Sequence, residues 1–324
     1  LGEASRQLPG RLKKDLSLVD EYLLEVVDEA TDYIRVACRK VIGAGGKRLR
    51  PLLLLTAALN GKYDLDTLIP ASAAVEMLHV SSLVHDDILD EASLRRGVPT
   101  INSLLGRRVA LATGDYLFAK TFEVLASLNN PGIIELMAQA ALALSQGELA
   151  QQDMAGWVET TEMSYLRRIR DKTAILFSTA CQMGGLLAGV NNTLQEDLRV
   201  YGESLGMAFQ IFDDILDVRG SSEKMGKPVG LDLKEGIVTL PVIYALEETH
   251  YDDRITRVIE GKSTRDKDIE RAIEVIKGTK GIERALESAK NYIRVALSLA
   301  AKMKNREAQE GLLFVGEFVL EREF

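Results

Sequence analysis

The chain has 324 residues, of which 46% are hydrophobic, and a formal net charge of −8. That is enough apolar material to bury a sizeable core, and the acidic balance excludes a general nucleic-acid binder, which needs an excess of Lys and Arg. A small anionic ligand is not excluded, because local basic clusters oppose the global sign.

In chain order, apolar residues recur at three- and four-residue spacing over Leu16–Val41, Arg50–Leu59, Leu68–Leu89, Val109–Leu128, Ile133–Gln151 and Met163–Ala188. Leu194–Val218, Val238–Leu246, Asp266–Ile276, Gly281–Met303 and Ala308–Leu320 continue the series. This spacing predicts helices almost throughout. Pro51, Pro70, Pro99, Pro131 and Pro241 lie where helices start or stop. No stretch alternates apolar and polar residues between turn signals, so strands are not expected. Two polar segments lack helical period, Glu91–Pro99 and Arg219–Gly236, and the length of the second favours a functional loop. No linker divides the chain, so a single helical domain is expected. No apolar run is expected to span a bilayer, and no basic region followed by an apolar stretch marks a signal peptide. Cys38 and Cys181 have no metal-type spacing. They read as small buried hydrophobes in a reducing, cytoplasmic setting.

The pentapeptide DDILD occurs twice, as Asp86–Asp90 and as Asp213–Asp217, each behind a strongly apolar helical run. Residues four apart lie on one helix face, so Asp86 and Asp90 point the same way, as do Asp213 and Asp217, with Asp87 and Asp214 to the side. Like charges at that spacing weaken a helix, and acids near its C-terminal end oppose the dipole. A bound divalent cation reverses both penalties. Oxygen-only ligands suit Mg2+, which shares substrate phosphates. One such cluster reads as a solvated acidic helix end; two identical copies point to metals bridged by a diphosphate.

Cations accompany the acids. Lys47, Arg48 and Arg50 follow Gly45-Gly46, and Lys47 and Arg50, three apart, can converge on one anion. As a lone motif this also reads as a solvated basic turn. Arg95 and Arg96 follow the first acid cluster, either neutralising it or gripping a diphosphate on the metal. Lys172, Lys227 and Lys234 are individually uninformative, and His79 alone reads as a core histidine.

The ordered motifs GGKRLRP, HDDILD with RRG, KT, FQIFDDILD and GKPVGLDLKEG, spanning residues 43–236, resemble those of the trans-polyprenyl diphosphate synthases. The resemblance implies an all-α, single-domain isoprenoid synthase fold over 1–324, with about ten core helices around a deep central cavity. It implies head-to-tail condensation of isopentenyl diphosphate with an allylic prenyl diphosphate (geranyl, farnesyl or geranylgeranyl), usually in a homodimer without a stable membrane anchor. Its cofactor would be Mg2+, about three ions per active site, held by Asp86, Asp87 and Asp90 and by Asp213, Asp214 and Asp217. Arg95, Lys172, Thr173, Gln210, Lys227 and Lys234 match positions that contact the allylic diphosphate. Lys47, Arg50, His79 and Arg96 match the isopentenyl diphosphate site. Catalytic roles fall on Asp86, Asp87, Asp90, Lys172, Asp213 and Lys227.

In such enzymes the growing chain descends below the first acid cluster, past the residues four and five before it. Here these are Ser82 and Ser81, where short-chain relatives commonly carry an aromatic block. A long product is therefore expected, C30 or longer with C40 as the central value and geranylgeranyl diphosphate as the alternative. Three other readings compete: a terpene cyclase or head-to-head synthase on the same fold, a non-catalytic subunit of a heteromeric synthase, and a structural scaffold. The two complete acid clusters and the second set of cations weigh against each.

Overall fold

The structure, a computed structural model, describes residues 8–95, 97–220 and 229–321. Among them the protein is all-α apart from one minimal hairpin. The chain packs as two compact units, Leu1–Ala141 with Leu176–Gly202 and Leu297–Val315, and Leu142–Ile175 with Glu203–Ala296 and Gly316–Phe324.

The first unit opens with α1 (Gly10–Asp28), which buries Leu12, Leu16, Val19 and Leu23 on one stripe, and α2 (Asp32–Gly43). A turn at Glu29–Thr31 divides the single helix expected over Leu16–Val41. Helix α3 (Leu49–Ala58) buries nearly its whole surface, including Leu52–Leu55. Helix α4 (Leu65–Leu89) is likewise buried around most of its circumference, as an apolar helix without a polar face must be. It is long and apolar enough, by length and composition, to cross a bilayer, which corrects the expectation that no run would be. Yet 72% of its most apolar window is buried inside the protein, and its last turns carry Asp86 and Asp87.

After α4, β1 (Leu94–Arg95) and β2 (Val98–Pro99) pair antiparallel, Leu94 opposite Pro99 and Arg95 opposite Val98. The sequence shows no such strands because two residues are too short to display an alternation. A short helix, α5 (Ile101–Leu105), leads into α6 (Arg107–Ser127), which packs along α4. Gly114 permits the close approach, since a Cβ there would lie 2.3 Å from His85 Nε2.

Helix α7 (Pro131–Asp153) begins in the first unit and ends in the second. In the second unit, α8 (Glu162–Ile169) starts with a reciprocal Thr161–Ser164 capping box. A π-helical turn over Arg170–Ala174 follows, then α9 (Ile175–Leu187), which belongs to the first unit from Leu176 onward. Helix α10 (Asn192–Arg219) carries the second acid cluster, and α11 (Leu231–Lys234) lies beyond it. The remaining helices are α12 (Leu240–Glu248), α13 (Asp253–Ile259), α14 (Asp266–Lys277), α15 (Gly281–Ala300) and α16 (Arg306–Leu320). Helix α14 buries Ile269, Ala272, Ile273 and Ile276 on a single stripe. Cys38 and Cys181 are both free and fully buried.

Candidate active site

In the first unit, α4 ends with Asp90 as its C-cap, whose N–H donates to Asp86 O at 2.8 Å. The first acid cluster therefore occupies the last turn, where the helix dipole is negative. Asp87 is buried, and its Oδ1 accepts from Arg95 Nε at 2.7 Å. Asp86 is half-buried and Asp90 exposed. The hairpin thus brings Arg95 back onto the cluster. Arg96 lies outside the described residues.

Asp87 and Arg95 line a cavity of about 310 Å³ together with Gly45, His79, Leu83 and Thr100. His79 is thus brought beside the acid cluster. Lys47 is exposed, and Arg50 is half-buried with its guanidinium 4.6 Å above the Phe177 ring. The intervening Arg48 has a structural task. It adopts left-handed backbone at φ 46°. Its guanidinium donates to Glu76 at 2.8 Å, Asp20 at 2.7 Å and the Ile42 carbonyl at 2.9 Å.

Ser81 is buried and donates to Gly114 O of α6 at 2.9 Å, while Ser82 donates to His79 O one turn back. Ser81 therefore packs between two helices.

In the second unit, Asp213 is half-buried near the end of α10. Asp214 is buried, with Tyr165 donating to Oδ2 at 2.7 Å and Gln210 Nε2 to Oδ1 at 2.7 Å. Thr173 Oγ1 donates to Gln210 Oε1 at 2.8 Å. Asp217 accepts from the N–H groups of Leu231 at 3.2 Å and Asp232 at 3.3 Å, which ties the start of α11 to the end of α10. Burial, then the charge of Asp232, raises both Asp214 and Asp217 well above the usual carboxylate range.

The π turn presents Lys172, whose Nζ lies 2.6 Å from Glu148 Oε2 of α7. Gly147 makes room for it, since a Cβ there would sit 2.6 Å from the Lys172 nitrogen. Lys234 pairs with Asp266 at 3.2 Å on an exposed surface, and Lys227 lies outside the described residues.

Three residues escaped sequence reasoning. Tyr165 and Glu148 are brought in by packing alone. Asp232 was legible as an acid in the glycine-bearing loop, but its closeness to α10 was not.

The donor chemistry fits Mg2+. The acids are oxygen-only, and the repulsion that Asp232 exerts on Asp214 and on Asp217 is of a kind a divalent cation relieves. Among the described residues no three such side chains form a closed metal cage. Mg2+ characteristically takes one or two carboxylates and completes its shell with water and phosphate.

A family model described as polyprenyl synthetase matches residues 31–276. The chain belongs to the polyprenyl synthetase family. It is 41% identical to heptaprenyl diphosphate synthase component 2 of Geobacillus stearothermophilus, over 93% of each chain. The decaprenyl diphosphate synthase structure from Rhodobacter capsulatus aligns with a TM-score of 0.91 at 35% identity, covering 99% of both chains. The polyprenyl synthase from Caulobacter crescentus, complexed with calcium and isoprenyl diphosphate, aligns at 0.92 with 33% identity, covering 100% of this chain and 99% of that one. This polyprenyl synthetase is accordingly a prenyltransferase of isoprenoid synthesis, with relatives named for long-chain products, heptaprenyl and solanesyl, and others for geranylgeranyl.

Proposed function

We propose that residues 1–324 act as one Mg2+-dependent synthase, condensing isopentenyl diphosphate with an allylic prenyl diphosphate into a long all-trans product, C30 or longer. The observation that carries this is the pair of acid clusters at helix ends in a chain of this family, each with cations on its own unit. Asp86, Asp87 and Asp90 would hold Mg2+ from α4, and Asp213, Asp214 and Asp217 from α10, Asp214 while it also accepts from Tyr165 and Gln210. Bound there, the metal supplies charge neutralisation for the departing diphosphate. Calcium with an isoprenyl diphosphate in the Caulobacter relative supports a divalent metal acting with a diphosphate substrate.

Lys172, Gln210 and Arg95 then grip the allylic diphosphate, Thr173 acting through its bond to Gln210, and Lys172 would leave Glu148 for the more highly charged anion. His79, Lys47 and Arg50 hold isopentenyl diphosphate. The allylic C–O bond breaks, the isopentenyl double bond attacks the carbocation, and the leaving diphosphate takes the proton.

The test is chromatography of dephosphorylated products from purified protein, isopentenyl diphosphate and several allylic primers. Asp86→Ala and Asp213→Ala are expected to cut turnover by orders of magnitude without unfolding the chain, and chelation of metal to abolish it until Mg2+ returns. Near-normal turnover of either variant refutes its role, and a sole C15 or C20 product refutes the long chain. Ser81→Phe is a poor probe of length, because the ring would have to displace α6 from Gly114.

A second reading is favoured by the relative named as a component: the chain works as one subunit of a heteromeric synthase. Product formed by the chain alone, as a homodimer, removes it.

A further inference from the structure

The second unit holds a chain of hydrogen bonds that runs from Tyr165 and Thr173 through Gln210 to Asp214. Tyr165 has one O–H, and it donates to Asp214 Oδ2 at 2.7 Å. The Gln210 amide nitrogen has two hydrogens, and one goes to Asp214 Oδ1 at 2.7 Å. The amide oxygen must then face the other way, where Thr173 Oγ1 donates to it at 2.8 Å. The single hydroxyl hydrogen of Thr173 is spent in that bond, so Thr173 has none left for a phosphate oxygen. The second amide hydrogen of Gln210 does remain.

Asp214 is 4% exposed and Tyr165 fully buried, and each carboxylate oxygen already accepts from protein. A carboxylate so placed serves as an anchor. The second acid cluster thereby divides its labour: Asp214 faces inward to Tyr165 and Gln210, and Asp217 holds the backbone of Leu231 and Asp232.

We propose that Tyr165 is a positioning residue, acting through Asp214 to lock the Gln210 amide so that its remaining N–H meets a diphosphate oxygen of the allylic substrate, with Thr173 as the stop on the other side. The proposal rests on the synthase reading above. Nothing in the motif pattern marks Tyr165, which lies seven residues before Lys172, one turn ahead of the π segment.

Tyr165→Phe removes one O–H and keeps the ring. It is expected to raise KM for the allylic diphosphate about tenfold, the scale of one misdirected charge-assisted hydrogen bond. KM for isopentenyl diphosphate should stay within about twofold. Gln210→Met supplies the second arm of a double-mutant cycle. If Tyr165 acts through Gln210, adding Tyr165→Phe to Gln210→Met changes the allylic KM no further. A merely structural role would multiply the two effects, or raise both KM values together, and either outcome overturns the proposal. An unchanged allylic KM in folded Tyr165→Phe does the same. Should that variant fail to fold, Thr173→Val, which cuts the same chain at its other end, replaces it in the cycle with the same expected signature. A wild-type chain that forms no product overturns the synthase reading and this inference together; an active wild type with an unaltered variant overturns the inference alone.

Discussion

Single side chains here are assigned by what they touch more than by the motif they belong to. Arg48 lies between two cations of the proposed substrate site, yet its guanidinium is spent on Glu76, Asp20 and the Ile42 carbonyl. Glu76 is only 5% exposed. Removing its partner strands a buried carboxylate, which costs about 3–5 kcal/mol, whereas an exposed pair of the same geometry costs under about 1. Arg48→Met is therefore expected to lower the urea midpoint markedly, while a variant at the exposed Lys47 leaves it unchanged; equal midpoints for Arg48→Met and the parent would refute the assignment. Lys234 illustrates the opposite case. Its ion pair with the largely exposed Asp266 is worth little, so a stronger anion can draw it away at small cost.

Among the elements, the passage from α8 through the π turn into α9 governs the proposed allylic grip. A π turn carries one residue more than the α-helix it interrupts, and here that segment presents Lys172 to Glu148 and Thr173 to Gln210. The approach of α7 depends on Gly147. Gly147→Ala gains about 1 kcal/mol of helix propensity, but its Cβ would press on the Lys172 backbone, an overpacking that costs about 1–3 kcal/mol. The second effect wins. The variant is expected to be mildly destabilised in thermal unfolding and clearly slower in turnover, and unimpaired turnover would show that the closeness of the two segments is incidental. The sequence reveals this region only in part. Its apolar period over Met163–Ala188 is helical throughout, and an added residue does not erase a period, so the π turn is invisible. Helices as short as α5, α11 and α13 complete too few turns to declare a period at all, and the turn at Glu29–Thr31 carries no Gly or Pro to mark it. The acid clusters were legible because they repeat. Tyr165, Glu148 and Asp232 were not, because their partners are distant in sequence.

For the molecule as a whole, the helical class and the order of the long helices follow from periodicity, and the family match over residues 31–276 agrees with them. The burial of both thiols has a practical corollary. Burial pushes the Cys38 thiol up to about 12 and raises Cys181 as well, and the thiolate is the reactive form. At about pH 8 an aromatic disulfide reagent is expected to titrate neither cysteine in the native protein and both after denaturation; rapid native reaction would contradict their placement. The wild-type chain is then a silent background for spectroscopic tags. Leu94→Cys in one unit and Met163→Cys in the other, both at exposed positions, would each accept a single probe. An environment-sensitive fluorophore on either one, read with and without pyrophosphate and Mg2+, would report whether the anion alters the surface of that unit.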